Sequence, residues 1–155
     1  RPSRVALLQS NIKRLGQHDA AVIAADARRP PLRPGAAAGV LLDAPCSGLG
    51  VLRRRADARW RLDESAPARL AALQRDLVDA AVPLLAPGGV LLYSVCTLTA
   101  RETIDIDDHI RAVHPGLVAV ESPGEPWLPW GSGAILLPQA VGTDGMAMFT
   151  YRLTN

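Results

Sequence analysis

Cysteine is scarce: two in 155 residues, too few for a disulfide framework. Neither belongs to a CxxC pair or to a His/Cys cluster spaced for zinc, so no metal site is expected. His18, His109 and His114 show no partner pattern in the sequence and receive no chemistry. No apolar run approaches the roughly 18 residues that span a bilayer, and no signal-peptide pattern opens the chain. A membrane partner is therefore not expected, and the cytoplasm is the expected location. Lysine is nearly absent, with Lys13 alone among 17 basic residues. Arginine carries the positive charge and clusters at Arg53, Arg54, Arg55, Arg59 and Arg61. That bias suits phosphate binding, and a GC-rich genome produces it equally well. There are no internal repeats and no second-domain linker. With 48% hydrophobic residues, the chain has the makings of one domain with a sizeable core.

What is present is a series of short apolar runs with reactive residues at their ends. The run from Val40 ends in Asp43 and continues Ala44-Pro45-Cys46-Ser47-Gly48, and Gly89 to Val95 ends in Cys96-Thr97. Buried parallel strands read this way when their C-terminal ends open into functional loops. Open α/β sheets bind ligands beyond those ends. Earlier, Val5, Leu8, Ile12 and Leu15 form a helical stripe from Arg1 to Leu15, closed by Gly16. Ala20 to Ala25 reads as a buried strand ending at Asp26, and Arg28 to Gly39 as a loop. Ser47 to Pro67 is irregular, with Trp60 as its one large apolar anchor.

Leu70, Leu73, Leu77, Ala81 and Leu84 then repeat as an amphipathic helix, stopped by Ala86-Pro87-Gly88-Gly89. Thr99 and Glu102 have capping-box spacing for a helix carrying Ile110 and Val113, which His114-Pro115-Gly116 ends. Leu117 to Val120 suggests a strand, Ser122 to Pro138 a long loop holding Trp127 and Trp130, and Met146 to Leu153 a closing strand. This order predicts an α/β fold with a mostly parallel sheet and a terminal antiparallel hairpin.

These motifs together resemble the RNA cytosine-C5 methyltransferases of the Sun/Fmu/NOL1 group, and most of all its bacterial 16S ribosomal RNA branch. The residues that carry the resemblance are Asp43 to Gly48 and Tyr93-Ser94-Val95-Cys96-Thr97. Asn11 to Gly16, Asp26-Ala27-Arg28, Gly50 to Arg54 and Leu73-Gln74 support it. So do Leu85 to Gly89 and Gly142-Thr143-Asp144-Gly145 with Met146 and Phe149. The resemblance implies a Rossmann-like class I methyltransferase sheet, S-adenosylmethionine as methyl donor and ribosomal RNA as substrate. It makes Cys96 the nucleophile and Cys46 the residue that helps resolve the covalent adduct. Asp43, with Ala44 and Pro45, would contact the donor, Asp43 also the cytosine edge, and Asp26 the donor's adenine side. Arg53, Arg54 and Arg55 would meet the RNA.

The chemistry accounts for these residue types. Cytosine C5 is a poor nucleophile until a thiolate adds to C6, which makes C5 enamine-like. An acid near N3 stabilises the adduct, and a base removes the C5 proton. Other uses of the same residues stay open. Both cysteines suit small buried hydrophobes, or a thiol-redox pair; the fold suits an RNA-binding or assembly module without turnover. Trp127 and Trp130 suit pinning the loop or stacking a flipped base.

The sequence departs from the family pattern at Thr97, where serine is usual, and at Arg101 and Thr103, which replace an acid and an asparagine. The family's glycine loop with its lysine, its ribose-binding acid and its central strands are not among these residues. Residues 1–155 are therefore expected to be the C-terminal portion of a methyltransferase domain, with a truncated sheet. The Ala20 to Ala25 strand would lack its neighbour, leaving it displaced or paired with a second copy. The glycine loop supplies backbone donors at a helix N-terminus, so the chain alone is expected to be inactive and to bind the donor weakly. Calorimetric titration of this chain with S-adenosylmethionine should give little or no heat; a tight isotherm would contradict that expectation.

Overall fold

The computed structural model describes residues 2–17, 19–60 and 63–154. Its elements are α1 (Pro2–Arg14), β1 (Ala37–Asp43), α2 (Ala66–Ala81), β2 (Leu85–Val95) and α3 (Ile104–Val113). They continue with β3 (Leu117–Ala119), β4 (Leu128–Trp130), β5 (Gly133–Leu136), α4 (Pro138–Val141) and β6 (Met146–Leu153). Short 3-10 segments at Leu49–Val51, Ala56–Trp60, Val82–Leu84 and Ala100–Glu102 link them. Gly16, at a φ of 66°, closes α1 as expected, whereas α2 ends at Ala81, earlier than its stripe through Leu84, and the expected stop at 86–89 lies within β2. Arg61 of the arginine cluster and His18 lie outside the described residues.

The sheet runs β1-β2-β6-β5-β4, with β3 also paired to β6. It is an open, mixed α/β sheet of Rossmann-like character. Period-two alternation builds its centre: Leu91, Tyr93 and Val95 of β2 and Ala147, Phe149 and Tyr151 of β6 are buried. Tyr93 stands opposite Phe149 across the antiparallel ladder, with ring centroids 6.1 Å apart. Such an aromatic pair adds about 0.5–1.5 kcal/mol beyond its burial. Val78 of α2 and Ile106 and Ile110 of α3 pack into the same core.

The sheet is less parallel than expected. Only β1 and β2 pair in parallel; the other described pairs are antiparallel. A parallel pair needs a long crossover, and the β1-to-β2 connection through α2 is one. The stretch 122–138, expected as a loop, instead contains the β4–β5 hairpin, turned by Gly131 at a φ of 58°. Ala20 to Ala25 forms no strand. It joins no described strand ladder and is largely exposed, because an apolar run becomes a strand only where its backbone groups find partners. The outer edge of β1 is likewise open, with Leu41 68% exposed.

Two side chains tie the hairpin to α3. Asp107, fully buried, accepts from Ser132 N at 2.8 Å and from the hydroxyls of Ser132 and Tyr151. Trp130 Nε1 donates to Thr103 Oγ1 at 3.0 Å, so this tryptophan pins the hairpin to the helix. Asp107→Ala, which leaves those donors without an acceptor, should cost about 2–4 kcal/mol in urea unfolding. A loss under about 0.5 kcal/mol, as at an ordinary surface position, would contradict this role.

Candidate active site

Parallel neighbours leave a sheet on the same edge, and the site grows from that fact. Asp43 stands opposite Ser94, and Ala44 N donates to Ser94 O at 3.0 Å. The chain beyond each strand then brings Cys46 and Cys96 together, with Sγ atoms 3.3 Å apart and both thiols free. The loop after Cys46 is drawn onto the loop after Cys96 by Gly50, whose N donates to Cys96 O at 3.0 Å and whose O accepts from Gly145 N at 2.8 Å. A Cβ at this position would sit 2.2 Å from Gly145 O, so only glycine permits the approach.

Beneath the sulfurs lies Glu102, fully buried. Its Oε1 accepts from Ser47 N at 2.8 Å and Gln74 Nε2 at 3.2 Å. Its Oε2 accepts from Ser47 Oγ at 2.5 Å, Thr97 Oγ1 at 3.0 Å and Thr99 Oγ1 at 2.9 Å. One carboxylate thus clamps both cysteine loops, and Gln74 adds a bond to Pro45 O at 2.9 Å. The capping-box reading of Thr99 and Glu102 is corrected by this geometry. Glu102 ends a 3-10 turn, α3 begins after Thr103, and the glutamate turns inward because the hydroxyls and the Ser47 amide gather there. Thr97, in place of the usual serine, keeps its hydroxyl on Glu102, and Thr103 binds Thr99 O at 2.7 Å.

Around the sulfurs, Arg4, Asp43, Ala44, Pro45, Arg55 and the two cysteines line a cleft of about 680 Å³. The two thiols differ sharply within it. The hydrogen bond from Cys46 brings the Cys96 thiol down to about 7, against the burial that raises it. The Arg55 charge lowers it further, and Asp43 opposes. Cys46 moves the other way, pushed up by its bond to Cys96 and by burial. Of the two thiols, Cys96 is therefore the one that ionises first and Cys46 the one that keeps its proton.

Not every residue expected at the site is there. Asp26 lines other clefts, and its carboxylate is held by Arg28 through Nε at 3.1 Å and Nη2 at 2.8 Å, which keeps it down at about 2. Of the three arginines, Arg55 faces the cleft. Arg53 donates to Gly142 O at 2.6 Å and Arg54 pairs with Asp144, so both hold the loop before β6. Trp60, expected to anchor its loop on the core, is 85% exposed. His109 and His114 do have a partner: both meet Asp79, and none of the three lines the cysteine cleft. That Glu102 and Ser47 hold the two cysteine loops together escaped the sequence reading, which placed Glu102 in a helix cap and Ser47 only within the first cysteine motif.

Comparison with known proteins bears on this arrangement. The family model described as 16S rRNA methyltransferase RsmB/F matches residues 1–152. The ribosomal RNA small subunit methyltransferase F of Shewanella loihica is 40% identical over 121 residues, 77% of this chain and 25% of that relative. The chain thus spans about a quarter of the length of that curated relative. The crystal structure of PH0851 covers the whole chain at a TM-score of 0.89 and 29% identity, over 35% of its own length. NSun6 from Pyrococcus horikoshii, solved with SFG, also covers the whole chain, at a TM-score of 0.81 and 27% identity over 40% of its length. No helix among the described residues is long and apolar enough to cross a membrane.

Alkylation of Cys96 by iodoacetamide, followed by peptide mass spectrometry, should reach half its limiting rate near pH 7. Cys46→Ala removes the donated hydrogen bond, so the midpoint should rise toward the ordinary thiol range of about 8.5. An unchanged midpoint in that variant would show that the neighbouring thiol does not set the charge.

Proposed function

Since this chain belongs to the 16S rRNA methyltransferase RsmB/F family, we propose that its cysteine cleft serves methyl transfer to C5 of a cytosine in RNA, with small-subunit ribosomal RNA as substrate. The observation that most supports this reading is the sulfur pair, 3.3 Å apart in the lining of an open cleft, with the Cys96 thiol brought down to about 7 by its neighbour. A soft, low-pKa thiolate is what addition to an aromatic pyrimidine requires.

Cys96 Sγ bonds to C6 of the cytosine, and the displaced electron pair makes C5 nucleophilic. Asp43, exposed at the end of β1, faces the same cleft and meets the edge of the base. S-adenosylmethionine, when bound, supplies the electrophilic methyl group. Asp43, Ala44 and Pro45 line the part of the cleft that would hold it, and an exposed carboxylate suits its cationic sulfur. After C5 is methylated, a water molecule entering the open cleft takes the C5 proton, the released electron pair re-forms the C5–C6 double bond, and the C6–S bond breaks with its electrons returning to Cys96 as thiolate. Cys46, hydrogen-bonded to Cys96, assists that departure. Arg55 offers its guanidinium to a phosphate at the rim, while Arg53 and Arg54 act through the loop they hold. A ribosomal RNA substrate places this work in the cytoplasm.

The test is covalent trapping. Fluorine at C5 replaces the proton that must leave, so RNA containing 5-fluorocytosine, offered with S-adenosylmethionine to the full-length protein carrying this chain, should accumulate a protein–RNA adduct. Cys96→Ser should abolish it, whereas Cys46→Ser should leave adduct formation intact. No adduct with any RNA would favour an RNA-binding or assembly module instead, and an adduct lost only in Cys46→Ser would reverse the two roles.

A further inference from the structure

A second group of ligating atoms lies outside the cysteine cleft and serves no step above. His109 Nε2 and His114 Nε2 stand 2.8 and 2.7 Å from the same oxygen, Asp79 Oδ1, and the three ligand atoms lie within 4.8 Å of one another. The rings meet edge to face, with centroids 6.3 Å apart. Both imidazoles are only 17% exposed, and Asp79 is 44% exposed.

The three residues come from two helices packed against each other. Asp79 belongs to α2 and His109 to α3, and His114 caps α3, its N bonded to Ile110 O at 2.9 Å and its O accepting from Leu117 N at 2.9 Å. The nearby cation Arg111 is engaged with Asp107 and Asp108. Three donor atoms from three residues therefore lie within 4.8 Å of one another, close enough for a single ion to reach all of them.

We propose that Asp79, His109 and His114 bind one divalent transition-metal ion of the zinc type, clamping α2 to α3. Two imidazoles and one carboxylate are the donors such ions take. Three protein ligands leave a position for water, and Asp79 also lines a cleft of about 670 Å³ through which water reaches it. The unfolded chain cannot hold the three donors together, so the ion stabilises the fold. This inference does not depend on the methyl-transfer reading.

The experiment uses Zn²⁺ in calorimetry and Co²⁺ in visible spectroscopy, on the wild-type chain and on a Cys46→Ser/Cys96→Ser variant. The second protein matters because the paired thiols are themselves metal donors. The expected result is one ion per chain, a cobalt spectrum without a thiolate charge-transfer band, and the same uptake in the double serine variant. Asp79→Asn, His109→Gln and His114→Gln should each weaken Zn²⁺ binding about tenfold or more, and Zn²⁺ should raise Tm in the wild type but not in His109→Gln. The wild-type cobalt spectrum decides even if a variant fails to fold. No uptake with Zn²⁺ in large excess, uptake that disappears with the cysteines, or uptake indifferent to the two histidines would each overturn the proposal.

Discussion

The parallel ladder between β1 and β2 is the constraint on which the rest of the molecule depends. Its register, Leu42 against Tyr93 and Asp43 against Ser94, decides that two loops fifty residues apart in sequence leave the sheet together. That register is not free to slip. A one-residue shift would turn the side chains of β2 to the opposite face, expelling Leu91, Tyr93 and Val95 from a core in which each is fully buried. Burial of each is worth about 1.5–3 kcal/mol, so the same energy that forms the core also aligns the sulfurs. β6 holds β2 from the other side, and the cleft opens where neither strand continues.

Two buried carboxylates then fix what the ladder only brings near. Glu102 lies just before α3 and Asp107 in its first turn, and each reaches donors remote in sequence: Ser47 of the first cysteine loop for Glu102, Ser132 of the β4–β5 turn and Tyr151 of β6 for Asp107. Burying such groups costs free energy unless hydrogen bonds compensate, and here every donor named is an amide, a hydroxyl or a side-chain amide aimed at a carboxylate oxygen. Asp107 also sits in the first turn of α3, where a negative charge complements the helix dipole. The amino end of α3 is therefore the joint between the site and the hairpin side of the sheet.

Much of this was legible in the sequence, and what was not has physical reasons. Strands ending in Asp43 and near Cys96, a helix along the Leu70-to-Leu84 stripe (though it ends at Ala81), the stop at His114 and the closing strand all followed from periodicity and breakers, because local pattern and tertiary burial agree there. The meeting of Cys46 and Cys96 followed from both capping strands of one sheet. The hairpin within 122–138 was hidden by its prolines, which mask short strands whose turn is stabilised from outside by Asp107. Ala20 to Ala25 looked like a strand because apolarity suffices for the pattern, yet pairing partners decide the outcome. Glu102 looked like a helix cap because spacing carries no direction, and only the convergence of Ser47, Thr97 and Thr99 shows where its carboxylate points. Asp79, His109 and His114 share no spacing that a linear reading detects, since α2 and α3 bring them together across thirty residues.

The central claim is that two thiols of one chain share a single point at the end of a parallel strand pair. Dibromobimane, which bridges thiols only a few ångströms apart, measures that directly by intact and peptide mass. The account predicts one bimane linking Cys46 to Cys96 within each chain, with both bromides lost. Reagent attached through one end only, or bridging separate chains, would contradict it.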